Sequence, residues 1–380
     1  MLLPCPNQTG GLPSYQRKTA IIHRPMKAHV LTRRQFIAAA SASSLAAVAS
    51  TTLPAYGEIT RNSGKLAILG GEPIRKNKAW PPWPHIDEKI VEAVVKTTKS
   101  GIWCRIQSAT GTVATFEKEY AKLLDAKFCV ATGSGTQALH TCVEALGIGA
   151  GDEVITSLGC FSFQTTKTIA CGEGGAIVGD DEALMDKCYT VHNHGTSRQG
   201  RTEVIGPKYR MNEFEAAVLL AQLAGAQERF RRRNENAAHL TARLKGCPDV
   251  VPQKLYEGTA SSAFYHYAMS YKKEHFHGLD RGRFLKAVEA EGVSLSPYIE
   301  RGLHREPWIA HIVKTKAYQK TFSARRLQQW RDEMSCPNCD RVCEEIAMIW
   351  ASGPLLGTRA DMDDIADAIL KVYENRAQLS

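Results

Sequence analysis

No stretch of this 380-residue chain is apolar for the ~20 residues that a membrane-crossing helix needs. Aromatic residues are few, at 8%, and 23% of residues are charged against 43% hydrophobic. Those proportions belong to a globular protein and exclude a disordered chain, a collagen and a small disulfide-stapled module. There is no internal repeat, no low-complexity tract after the leader and no long basic run of the kind that binds nucleic acid. Acidic side chains are absent from residues 1–49, which hold six basic ones: Arg17, Lys18, Arg24, Lys27, Arg33 and Arg34. Of the 48 basic residues, 42 therefore face the 39 acidic ones in the rest of the chain, and the formal charge of +9 falls to +3. The length suggests two domains.

The basic start has a pattern. Thr32-Arg33-Arg34-Gln35-Phe36-Ile37 places twin arginines before an Ala/Ser-rich apolar stretch, Ala38 to Ala49, which closes on Ala47-Val48-Ala49. That stretch is too short to anchor in a bilayer, so residues 1–49 read as a twin-arginine signal peptide with a small-x-small cleavage site. The expectation is export to the periplasm, or a cytoplasmic protein if the signal is not used. Met26 offers a second start closer to the usual signal length.

Eleven cysteines are present, and they form no even framework. Most, including Cys129, Cys142, Cys160, Cys171 and Cys188, lie in apolar segments and read as small buried hydrophobes. Cys336, Cys339 and Cys343 have a spacing that suits a metal, but no fourth ligand is near in sequence; the simpler reading is a turn entering a helix.

Apolar spacing predicts helices over 86–99 and 113–124. Phe128-Cys129-Val130-Ala131 reads as a buried strand, followed by the turn Thr132-Gly133-Ser134-Gly135-Thr136 and a helix from Gln137 to Leu146. A strand, a Gly/Ser/Thr turn and a helix start make an anion site, since unpaired backbone N–H groups and the helix dipole face the same point. Glu153–Ser157 reads as a strand, Ala176–Val178 as another, Glu182–His192 as a helix and Met211–Phe230 as one long helix with a basic helix after it. Such alternation argues for an α/β sheet. Beyond about residue 250 a strand over 264–271, a helix over 281–292 and a last helix opening at Asp361 suggest a smaller α+β domain. The expected division is a large domain over 58–245 and a small one over 246–380.

Four segments in order carry a family resemblance. They are Gly133-Ser134-Gly135-Thr136-Gln137-Ala138-Leu139-His140, Gly149-Ala150-Gly151-Asp152-Glu153-Val154-Ile155, Gly159-Cys160-Phe161-Ser162-Phe163 running on to Lys167 and Gly172-Glu173-Gly174-Gly175, and Tyr209-Arg210-Met211-Asn212-Glu213. Together they resemble the DegT/StrS-type sugar aminotransferases, fold-type-I enzymes that use pyridoxal 5'-phosphate. The resemblance implies a large domain with a mixed, mainly parallel sheet, a small α+β C-terminal domain and a homodimer that builds each site across two chains. It implies that Lys167 forms the Schiff base with the cofactor and shuttles the proton in transamination, a role for which an amine is suited. Gly135, Thr136 and Ser162 would hold the cofactor phosphate. The reaction would move an amino group from an amino acid to a keto-sugar or related ketone. A dehydratase of the same fold is disfavoured because such enzymes generally replace the lysine.

Two departures matter. Lys208 stands where the family has an asparagine that meets the neighbouring site's phosphate; a lysine can meet a phosphate as a point charge. More seriously, Leu158 follows Ser157 directly, where the family has a long stretch supplying central βα units, the aromatic over the cofactor ring and the aspartate on the pyridine nitrogen. No residue of this chain matches that aspartate, so the alternative expectation is a truncated, inactive relative. His192, Asn193, His194, Glu173, Tyr298, His304 and Arg305 are further candidates for the vicinity of the site.

Overall fold

A computed structural model describes residues 64–148, 158–247, 250–350 and 353–379. The leader, the second start at Met26 and the expected strand at Glu153–Ser157 lie outside these residues. Twelve helices are described: α1 (Glu88–Ser100), α2 (Thr112–Leu123), α3 (Gly135–Ala145), α4 (Glu182–His192), α5 (Glu213–Ala224), α6 (Ala226–Arg243), α7 (Arg281–Ala290), α8 (Trp308–Ile312), α9 (Lys316–Thr321), α10 (Ala324–Asp332), α11 (Pro337–Glu345) and α12 (Arg359–Glu374). The strands are β1 (Phe128–Thr132), β2 (Gly159–Ser162), β3 (Gly175–Gly179), β4 (Val250–Pro252), β5 (His266–Tyr271) and β6 (Ile346–Trp350). No described helix is long and apolar enough to cross a membrane.

The first sheet has the order β1-β3-β2. β1 and β2 point the same way, and β3 runs against both, with Val130 opposite Ile177 and Cys160 opposite Ile177 on the other side. The ladders among the described residues are thus antiparallel rather than mainly parallel. The reason is topological: parallel neighbours need long crossover units, and those units fall in the stretch this chain lacks. Among the described residues the three strands of this sheet are direct neighbours. Val130, Ala131, Ala176 and Ile177 are fully buried between two apolar clusters. Val113, Phe116, Tyr120 and Leu219 cover one face, and Ala138, Cys142, Leu184 and Met185 the other. β2, by contrast, is only half-buried along its length.

The single helix expected over Met211–Phe230 is two helices. Gly225 serves as C-cap of α5 and N-cap of α6, with ψ near 5°. A glycine at a helix end costs less than one inside it, which favours the break there. The start of α5 is fixed by Asn212, whose side chain accepts from Phe214 N and Glu215 N while Glu215 reaches back to Asn212 N.

The second sheet, β4-β5-β6, is antiparallel and lies against α6, α7 and α12. Tyr267, Met269 and Tyr271 alternate inward from β5 and join Phe276, Phe284, Ile365 and Ile369 in one core. Leu66 of the N-terminal arm is buried in the same core. A buried ion pair pins that arm. Glu291 is fully buried and accepts from Ala67 N (2.8 Å), Ile74 N (3.1 Å) and Lys371 Nζ (2.8 Å). Breaking a buried pair leaves an uncompensated charge and costs about 3–5 kcal/mol. Glu291→Ala is therefore expected to lower the unfolding free energy by about that amount in urea titration; a loss below about 1 kcal/mol, the range of an exposed pair, would contradict the assignment.

Candidate active site

The site begins where β1 ends. Ser134 caps α3, its side chain accepting from Gln137 N at 3.2 Å. The backbone amides of Gly135 and Thr136 then lie in the first turn, where a helix has no internal partner for them. A Cβ on Gly135 would stand 2.7 Å from the Ser162 Cβ, so β2 passes directly against the helix start. A Cβ on Gly175 would meet the Ser134 carbonyl at 2.3 Å. Both positions exclude any other residue. Three separate stretches of sequence thus converge on one point with amides, a hydroxyl and a positive helix end.

Beyond Ser162 the chain turns back on itself. Phe163 N donates to Gly174 O (2.8 Å), Cys171 N to Phe163 O (2.9 Å), Thr165 N to Gly172 O (3.0 Å) and Lys167 N to Gln164 O (2.8 Å). This loop presents Lys167, whose Nζ lies 4.1 Å from the centre of the Tyr265 ring. The Tyr265 hydroxyl and Thr166 Oγ1 are 2.8 Å apart, and Trp83 Nε1 donates to Thr165 O at 2.8 Å. A cation over a tyrosine face gains about 0.5–1 kcal/mol, enough to orient the lysine but not to lock it.

His266 stacks between Tyr265, Tyr298 and Trp350, with ring centres 3.9, 4.5 and 4.7 Å away. Its Nε2 is buried and makes no hydrogen bond. Burial first, then the Lys167 charge, holds its pKa below the ordinary value. Sequence reasoning reached Tyr298 and missed Tyr265, His266, Trp350 and Trp83. The alternation over 264–271 signalled a strand but not which face meets Lys167.

The other candidates separate. Lys208 is exposed and pairs through its backbone with Asn193. Among the described residues it makes no hydrogen bond or ion pair to Gly135, Thr136 or Ser162. The neighbouring Tyr209 O accepts from Gly133 N at 2.9 Å, which ties this segment to the turn. Glu173 is exposed, and its carbonyl accepts from Cys171 Sγ. His304 and Arg305 both engage Asp340 of α11, at 3.1 and 2.6 Å. Cys336 caps α11 as a turn entering a helix, and no group of three or more His, Cys, Asp or Glu among the described residues could hold a metal.

Asn193 Oδ1 accepts from Arg210 Nη1 (2.9 Å), and His192 is fully buried with Nδ1 on Tyr189 O. Burial and the nearby charges of Arg105, Arg198 and Arg210 push the His192 pKa down to about 3. The unfolded chain therefore takes up a proton below about pH 6.5 that the folded chain refuses, and stability falls on acidification. The advantage of the wild type over His192→Gln is expected to shrink by about 1.4 kcal/mol per pH unit between about pH 6 and 4. A pH-independent difference in denaturant midpoints would contradict this.

The residues present fit a phosphate-bearing aldehyde at two ends: a glycine-lined cradle that a Cβ would fill, and a lysine on the adjoining loop. No carboxylate pairs with Lys167 or His266 among the described residues, so a partner for a ring nitrogen is not among these contacts.

Comparison with known proteins shows the family and the fold. The sequence model of the DegT/DnrJ/EryC1/StrS aminotransferase family matches residues 84–158 and 156–347. The L-glutamine:2-deoxy-scyllo-inosose aminotransferase of Streptomyces paromomycinus is 24% identical over 433 residues, covering 83% of this chain and 99% of that protein. An L-glutamine:scyllo-inosose aminotransferase of Streptomyces griseus is also 24% identical, over 83% and 99%. The crystal structure of DesI with its TDP-sugar product superposes with a TM-score of 0.64 at 18% identity, covering 83% of this chain and 97% of that one. The two family matches meet at 156–158, where the expected stretch is absent. This chain fills about 315 of the 433 positions aligned with the Streptomyces paromomycinus protein, leaving roughly 120 without a counterpart.

Proposed function

Because this chain belongs to the DegT/DnrJ/EryC1/StrS aminotransferase family, we propose that it transfers an amino group from an amino acid to a keto-sugar or related cyclic ketone, with pyridoxal 5'-phosphate as cofactor. One observation carries the reading: the helix start at Gly135 and the Ser162 strand meet at a glycine-only approach, and the loop leaving Ser162 presents Lys167. L-Glutamine is the donor we favour, because two relatives are L-glutamine:inosose aminotransferases.

In this reading the amides of Gly135 and Thr136 and the Ser162 hydroxyl hold the phosphate. Pyridoxal phosphate, when bound, supplies the electron sink that makes the α-proton of an amino acid removable. Lys167 Nζ would be the amine that holds the cofactor's aldehyde end and, when free, the base that takes the donor's α-proton and gives it back. Tyr265 orients Nζ through its ring face and is itself held by Thr166. Lys208 supplies a point charge to the phosphate of the partner's site.

Assembly as a homodimer belongs to the same proposal. Val91 and Val95 of α1, with Ile102, Trp103 and Ile106 after it, expose an apolar surface that a second copy would cover. Export through the twin-arginine leader also belongs to it, since that route carries folded, cofactor-loaded proteins.

A second reading is favoured by the roughly 120 missing positions: a relative that binds the cofactor but turns over no substrate. The two readings separate in a half-reaction. With bound pyridoxal phosphate, L-glutamine should convert the visible cofactor band and release the matching keto acid, and Lys167→Ala should do neither. Cofactor binding without conversion would leave the second reading standing. Ser162→Ala is expected to raise the cofactor Kd by roughly 10- to 100-fold in absorbance titration, the loss of one hydrogen bond to a charged group; an unchanged Kd would remove Ser162 from the phosphate site.

A further inference from the structure

Three cysteines from three elements meet beneath the cradle. Cys142 of α3 is 4% exposed, Cys188 of α4 is fully buried, and Cys160 of β2 is half-buried. The Cys142 and Cys160 sulfurs are 3.4 Å apart. A disulfide needs about 2.05 Å between sulfurs, so a small approach closes the gap. The two residues are 18 apart in sequence, and the segment between them contains the junction at 156–158 where the family matches meet.

We propose that Cys142 and Cys160 form a disulfide that fastens the phosphate-cradle helix α3 to the edge strand β2. The need for such a fastening follows from the sheet. β2 has β3 on one side only among the described residues and is half-buried throughout, yet it carries Ser162 into the cradle. A covalent link from β2 to α3 holds Ser162 against Gly135 where neighbouring strands do not. The proposal is independent of the aminotransferase reading.

The chemistry balances with a low-molecular-weight disulfide as oxidant. Cys160, the accessible thiol, attacks the oxidant as thiolate and releases one thiol. Cys142 then attacks the Cys160 sulfur and expels the second thiol. Two electrons pass from the two cysteines to the oxidant, and their two protons end on the released thiols. Exchange in the folded chain is slow. The Cys160 bond lowers the Cys142 thiol, but the Cys188 bond and burial outweigh it and push it up to about 12. Cys160 is raised by its bond to Cys142 and by burial.

The test incubates the folded full chain with oxidised glutathione in mildly alkaline buffer for hours, blocks free thiols under denaturing conditions and maps peptides by mass spectrometry. The expected result is a Cys142–Cys160 cross-linked pair, lighter by two hydrogens than the separate peptides. It should come with a rise in thermal midpoint of roughly 5–10 °C that dithiothreitol reverses. Cys160→Ser, a half-buried position, should fold and lose the redox-dependent rise, while Cys188→Ala should keep it. A Cys142–Cys188 link, no link at all, or a redox-dependent rise that survives in Cys160→Ser would overturn the proposal.

Discussion

The structure turns on one close approach. The backbone at Gly135 and Gly175 comes so near to Ser162 and Ser134 that a single methyl at either glycine would overlap its neighbour. Everything around it serves that contact. β1 delivers the turn, the Ser134 cap starts the helix, β3 lies between the two like-directed strands, and the return loop after Ser162 leads to Lys167. The dipole and free amides of a helix start give the point its preference for an anion.

That constraint explains how the chain tolerates a large loss. Roughly 120 aligned positions have no counterpart, yet the three strands of the first sheet among the described residues are contiguous and have apolar clusters on both faces. Among the described residues β2 has a neighbouring strand on one side only. The described residues thus keep the Gly135–Ser162 approach and the loop that carries Lys167. The aromatic cluster of Tyr265, His266, Tyr298 and Trp350 stands beside Lys167, so the lysine is not left open to solvent on that side.

Local chemistry was readable in the sequence, and long-range placement was not. The helix at Glu182–His192, the strand–turn–helix at Phe128–Ala145 and the turn before Gly175 follow from periodicity and capping residues acting over a few positions. The break at Gly225 was missed because the apolar face continues across it, and a glycine cap competes weakly with such a pattern. The direction of pairing was missed because it depends on which strands are present, not on any strand's composition. Glu291 and Lys371 lie 80 residues apart in sequence, and only the fold buries them together. In the site, Lys167, Ser162 and Gly135 were legible because the motif keeps them within one family pattern. Tyr265 and His266 lie at the start of β5 in the other sheet, nearly a hundred residues away, and nothing local marks them as neighbours of the lysine.

The central claim is that the shortened fold still brings an anion cradle and a reactive lysine to one cofactor. Borohydride reduction of the chain incubated with pyridoxal phosphate, followed by peptide mapping, tests it directly. The account requires one stoichiometric phosphopyridoxyl group on the peptide containing Lys167, protected from excess free lysine in solution. Label spread over exposed lysines such as Lys99, in proportion to their exposure and with Lys167 unmodified, would contradict it.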